Sequence, residues 1–255
     1  MPPSTFDLNG YIMEHVLNKH EWHLPFLPPI HLPQFLSLHG LMVLICAAFL
    51  IFLFCVVYRK NDRVPSGMTN FLELVVLFIR DQISIAYLGE KDGRKMTPYF
   101  CTLFFFILSL NLLGSIPIFA TATSNVNVTG ALAFVTLCFM FFGSIARHGV
   151  IGFIKLFAPS GVPIPILIIL WPIEFLGLFI RSFALMIRLF ANMLAGHIVI
   201  FALLGLVVLL GAAALPAIVL ALFVSLFEIG VAFLQAYIFT LFSAIFIGLV
   251  YHPQH

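Results

Sequence analysis

An all-α integral membrane protein is the fold class this sequence predicts, and three observations carry the prediction. Of its 255 residues, 62% are hydrophobic and only 9% charged, a balance far from that of a water-soluble domain. Mean hydropathy is +1.16. The apolar residues are gathered into runs that suffice for about five or six spans at roughly 20 residues each, which leaves little chain for a domain outside the bilayer. The expected architecture is one N-terminal span, a surface amphipathic helix, a two-helix hairpin and a C-terminal hairpin of two long tilted helices.

Residues 1–34 hold six prolines together with His15, His20, His23 and His31, and read as an external, irregular segment with one short amphipathic helix. The histidine spacing hints at metal, but proline-rich backbone does not hold a ligand geometry, so no metal site and no cofactor is expected. No basic region leads into a short apolar core here, so no cleavable signal is expected. The single membrane domain spans residues 35–255. Its first span, 35–58, carries no formal charge and stops at Arg59, Lys60, Asp62 and Arg63. Segment 68–88 places Asn70, Glu73, Arg80, Asp81 and Ser84 on one helical face with apolar residues on the other, the pattern of a helix lying at the membrane surface. Spans 98–119 and 130–146 follow, joined by the polar loop Thr121 to Thr129 and closed by Arg147 and His148. Cys46, Cys55, Cys101 and Cys138 lie within apolar runs at no metal or disulfide spacing, and act as small hydrophobes.

Loop charges orient the chain. Nine of the 12 Lys and Arg residues fall in the connections after the first and third spans, whereas the 121–129 loop has none. The positive-inside rule then puts those connections in the cytoplasm, and the N-terminus and the 121–129 loop outside. A net charge of +2, dispersed along the chain, excludes a nucleic-acid footprint.

The last hundred residues concentrate the chemistry. From Leu156 onward the only formal charges are Glu174, Arg181, Arg188 and Glu228, accompanied by Asn192, His197 and Gln235. A charge within an apolar helix costs at least ~2.5 kcal/mol, and residues that costly are usually functional. The stretches 172–210 and 217–251 would be about 58 and 52 Å long as helices, against a hydrocarbon core of roughly 30 Å, so two inclined helices joined by a turn at Gly211 to Pro216 are expected. Glu174, Arg181 and Arg188 are seven apart and share a face, with Ala184, Ala191 and Ala195 beside the last. Small residues let another helix come close, so this stripe reads as a contact surface centred on an arginine. His197, nine residues beyond Arg188 at about 100° per residue, falls on the opposite face. In an antiparallel hairpin the index sums 423 and 425 put Arg188 level with Gln235 and His197 level with Glu228.

This chemistry suits proton movement. Arginine stays protonated and acts as a fixed field, whereas glutamate and histidine can relay protons. The mobile carboxylate missing beside Arg188 would have to come from a partner docked on the alanine-lined face.

The segment Arg188-Leu189-Phe190-Ala191-Asn192-Met193-Leu194-Ala195-Gly196-His197, with Glu228, Gln235-Ala236-Tyr237, Asn111-Leu112-Leu113-Gly114, Pro117 and Asn125-Val126-Asn127-Val128-Thr129, resembles the subunit a family of F-type ATP synthases, the ATPase A chain family. The matches run in order from about residue 70 to 251. The resemblance implies a proton-conducting stator subunit with no catalytic site of its own. Arg188 would face the rotating ring of c subunits between two offset half-channels. Asn192, His197, Glu228 and Gln235 would line the external path, Asn111, Asn125 and Asn127 its mouth, and Glu174 the cytoplasmic half. It also implies a b-subunit peripheral stalk, the remaining F1Fo subunits and a bilayer as partners, and a bacterial inner membrane as location. Some family members carry glutamate at the His197 position and histidine at the Glu228 position, so the pair is exchanged here. Arg181 is extra, to be paired with Glu174 or lipid phosphate.

Competing readings stay open. Asn111, Asn125 and Asn127 also suit caps and turns, Gln235 a helix-bridging hydrogen bond, and Glu174 a helix N-terminus. A self-contained secondary ion transporter is the alternative function, though it should show inverted repeats with broken helices, and a membrane hydrolase should cluster His and carboxylates at one depth.

Overall fold

The computed structural model describes residues 21–22, 30–31, 33, 37–57, 67–116, 119–157, 163–210 and 215–252. Among the described residues five helices are long and apolar enough to cross a membrane, and the chain is an all-helical, multi-pass membrane protein, with one pair of extended dipeptides among those residues. These are β1 (Glu21–Trp22) and β2 (Ile30–His31), antiparallel, with Glu21 opposite His31. They stand within the segment expected to be irregular with one short helix. The remainder of that expectation, with His15, His20 and His23, falls outside the described residues, as do Pro117 and the Gly211 turn.

Helix α1 (Leu38–Phe52) starts at Ser37, whose hydroxyl accepts the Gly40 amide at 3.2 Å, and continues as a π-helical stretch, Leu53–Val57. It buries Met42, Cys46 and Leu50, four residues apart, on the side that packs against α3.

Helix α2 (Met68–Phe78) runs through a second π-helical stretch, Ile79–Ile85, into α3 (Ala86–Gly114). The chain turns at Gly89, whose φ of +75° is open to glycine, and Gly93 comes to lie against Ser84 and Ile85. The π-helical stretch corrects one sequence expectation. It widens the turn, so Ser84 leaves the exposed face of Asn70 and Asp81, becomes fully buried and donates to the Gly93 carbonyl at 2.6 Å.

Helix α3 begins well before residue 98 and stops at Gly114 rather than reaching 119. Helix α4 (Val126–Leu156) likewise outruns the expected 130–146, starting at the Asn125 cap and bending at Gly149. Gly149, with φ +70° and ψ 172°, divides it into two helical runs, so the first run continues only just past Arg147 and the remainder to Leu156 is a second run beyond the kink. A short polar rung ties three helices together. Tyr99 on α3 meets Thr136 on α4 at 3.0 Å, and Thr136 meets Ser243 on α6 at 3.3 Å.

Helices α5 (Ile164–Leu210) and α6 (Leu215–Tyr251) are 47 and 37 residues long. That is about 70 and 55 Å, well beyond a hydrocarbon core of roughly 30 Å. α5 starts upstream of the expected 172 because Pro172 is accommodated inside it. α6 buries a row of small residues, Ala232, Ala236, Ala244 and Gly248 among them, and packs on α3, α4 and α5. Its end is fastened by side chains: Arg147 pairs with Asp92 and stacks 5.1 Å from the Tyr251 ring, while His252 Nε2 lies 3.1 Å from the Leu88 carbonyl.

Candidate functional site

Arg188 sits on α5 with the two faces of the helix sharply divided. Leu178, Ser182, Leu185, Leu189 and Met193 form the buried face. Ala184, Arg188, Ala191, Asn192 and Ala195 are all exposed. The stripe of small residues around the arginine is therefore an uncovered surface within an apolar helix. Among the described residues Arg188 has no ion pair, and its guanidinium carbon lies 4.6 Å from the centre of the Phe242 ring. The index sum put Arg188 level with Gln235, seven residues earlier on the same face of α6. Phe242 is met instead because side chains lean toward the N-terminus of their own helix, which in this hairpin carries a long arginine toward the C-terminal end of α6.

Arg181 follows the same rule, with its guanidinium carbon 5.8 Å from the Phe246 ring centre. No ion pair joins it to Glu174 among the described residues. Glu174 itself is half-buried on the first third of α5.

His197 points the other way from Arg188, into the helix bundle. Its Nδ1 is 2.8 Å from Glu228 Oε1 and 3.1 Å from the Met193 carbonyl; its Nε2 is 2.6 Å from the Thr121 hydroxyl and 3.0 Å from the Gly114 carbonyl. Glu228 is 6% exposed. Its Oε1 lies off the axis of the Nδ1–H bond and accepts no directed hydrogen bond, although the charge-to-charge contact is close. Room for that oxygen comes from Gly196, where a Cβ would stand only 2.7 Å from it.

Gln235, on the same face of α6 as Glu228, is buried, and its Nε2 has no hydrogen-bond partner among the described residues. An unsatisfied buried amide costs about 1–3 kcal/mol, so its retention asks for a reason. Asn111, 1% exposed, accepts the Thr123 hydroxyl at 2.8 Å. Asn125 caps α4 by accepting the Asn127 amide at 2.9 Å, and Asn127 is exposed beside it. The structure thus brings His197, Glu228, Asn111 and the 121–125 turn into one polar cluster. It keeps Arg188 and Asn192 on the uncovered face, and Glu174 far from both.

Sequence reasoning missed Thr121, Thr123, Gly114 and Gly196. Two signals were available: Gly196 directly precedes His197, and Thr121 and Thr123 stand close together in a loop with no charge.

The family model for the ATP synthase A chain matches residues 40–248. "ATP synthase subunit a" of Anaeromyxobacter dehalogenans (strain 2CP-C) is 47% identical, over 84% of this chain and 58% of that protein. The protein of that name in Chloroherpeton thalassium is 42% identical, over 95% of this chain and 77% of its own length. In Myxococcus xanthus the identity is 47%, over 74% and 63%. The chain thus spans little more than half the length of the Anaeromyxobacter relative.

Proposed function

The chain belongs to the ATP synthase A chain family, and from that membership we propose that it is the proton-conducting stator subunit of an F-type ATP synthase membrane sector, with no nucleotide site of its own. The observation that carries the reading is Arg188, exposed and without an ion pair among the described residues, centred on a stripe of small residues.

A guanidinium does not release its proton, so Arg188 cannot pass protons along. It can decide where another group gives one up. A carboxylate on a ring of c subunits, approaching to about 4 Å, would gain about 4 kcal/mol at an effective dielectric near 20. That favours its ionised form by about three powers of ten. The ring carboxylate therefore sheds its proton on reaching Arg188 and takes another on leaving. Ala184, Ala191 and Ala195 allow the ring helices close enough for this.

Two offset half-channels supply and remove the protons. The external one opens at Asn111, Asn125 and Asn127, passes the His197–Glu228 relay and reaches the ring face by Gln235 and Asn192. Glu174 serves the cytoplasmic one. The partners are the c-ring, a b-subunit peripheral stalk that holds this chain still, the other F1Fo subunits and the bilayer. The bacterial relatives and the basic connections support a bacterial inner membrane with the N-terminus outside.

The test is ATP-driven acidification of inverted vesicles carrying Arg188→Ala, with passive proton leak recorded alongside. The expected result is loss of pumping in an assembled complex. Pumping at the normal rate would overturn the reading.

A further inference from the structure

We propose that the Thr121 hydroxyl is a positioning group for His197, setting its tautomer and following its protonation; this rests on the proton-conduit reading above. Among the described residues four polar atoms surround the imidazole. Nδ1 faces Glu228 Oε1 at 2.8 Å and the Met193 carbonyl at 3.1 Å; Nε2 faces the Gly114 carbonyl at 3.0 Å and Thr121 Oγ1 at 2.6 Å. With Glu228 ionised, three of the four can only accept hydrogen bonds. Thr121 Oγ1 is the one atom that can also donate, and it makes the shortest contact.

Neutral imidazole carries one N–H and one lone pair. With the hydrogen on Nδ1, directed at the Met193 carbonyl beside Glu228, the Nε2 lone pair must be met by a donor, and among the described residues only the Thr121 hydroxyl qualifies. When Nε2 gains a proton, the new N–H is donated to the Gly114 carbonyl and to Thr121 Oγ1. The hydroxyl hydrogen then turns to the Gly114 carbonyl, 3.3 Å from Thr121 Oγ1. One proton is added at Nε2 and no bond between heavy atoms changes. Thr121 thus keeps both protonation states of His197 satisfied, in a place where an unsatisfied ring nitrogen would cost free energy.

The hydroxyl is held to this task. Thr121 is 7% exposed and leads into the 3₁₀ turn Ala122–Ser124, and its carbonyl accepts both the Ser124 amide at 3.2 Å and the Ser124 hydroxyl at 2.7 Å. The turn packs against α3, α4, α5 and α1. The titratable group facing His197 is Glu228 on α6. His39, buried in the first turn of α1, is another on an element packed against the turn, and α5 itself presents the Met193 carbonyl and the Phe201 ring, centred 6.1 Å from the imidazole.

The experiment uses inverted vesicles with the whole complex, measuring passive proton conduction against pH for Thr121→Val, Thr121→Ser and Glu228→Gln. Valine keeps the shape and removes the donor that meets neutral His197. Conduction should fall about five- to tenfold, and its alkaline midpoint should move up by roughly half a pH unit, because the protonated form keeps its Gly114 acceptor. Serine should restore both. Thr121→Ala reads the same two quantities if the valine variant fails to assemble. An unchanged rate and midpoint in the donor-free variants, or a serine variant as impaired as valine, overturns the proposal while loss of conduction in Glu228→Gln leaves the conduit reading standing. Conduction at the normal rate in Glu228→Gln overturns both.

Discussion

Nδ1 of His197 and Oε1 of Glu228 stand 2.8 Å apart across the hairpin of α5 and α6, yet the oxygen lies off the hydrogen-bonding axis of the ring. The pair is therefore close enough to exchange a proton after a small rotation and is not locked by a directed bond. Because the contact is reciprocal, it should survive exchange of its members. His197→Ala and Glu228→Gln should each lower proton conduction by about a hundredfold, the scale of a lost acid–base group. The double variant His197→Glu with Glu228→His should recover most of it, as measured by passive proton flux in vesicles.

Gly196→Ala should separate function from stability. The added Cβ would lie 2.7 Å from Glu228 Oε1, the far end of a flexible side chain. The carboxylate can swing aside at little cost in folding, so detergent-extracted complex should melt within a few degrees of the parent. The His197 contact would be lost, and conduction should fall about tenfold or more. Normal conduction in this variant would show that the close approach is incidental.

Asp92 on α3 and Arg147 on α4 pair beside Tyr251 and so fasten the end of α6, in stretches that the sequence leads one to expect as the basic connections. The hydrogen bond from Arg147 holds the Asp92 carboxyl below its usual range. A depressed folded-state value means that this stabilisation is present above the ordinary carboxylate range and is lost as pH falls through the folded value. With the two side chains 30% and 17% exposed, it is worth at most about 1 kcal/mol. Asp92→Asn should make the C-terminal tail more open to protease at neutral pH. The difference from the parent should vanish once the medium is acid enough to protonate Asp92.

How much of this could be read from residues alone follows from periodicity. The opposed faces of Arg188 and His197, and the level pairing of His197 with Glu228, are properties of regular helices and were legible in spacing and index sums. Ser84 was not, because a π-helical stretch broke the assumed period. Thr121 and Thr123 were not, because they come from a turn, where side-chain direction follows no repeat. Phe242 was not, because the index sum locates backbones and ignores the lean of a long arginine.

That lean supplies a last prediction. The Phe242 ring lies 4.6 Å from the Arg188 guanidinium carbon, a cation–π contact worth about 0.5–2 kcal/mol. It fixes the arginine at one height without neutralising it, which an acidic partner would do. In Phe242→Leu the charge stays in place but its rotamer is freed, and a ring carboxylate would meet it in fewer of its positions. ATP-driven pumping should fall roughly two- to thirtyfold on that energy scale, without the complete loss expected of Arg188→Ala. Phe242→Tyr, which keeps an aromatic face under the guanidinium, should pump near the parental rate. Equal rates for leucine and phenylalanine would mean that the backbone of α5, rather than this ring, sets the height of the charge.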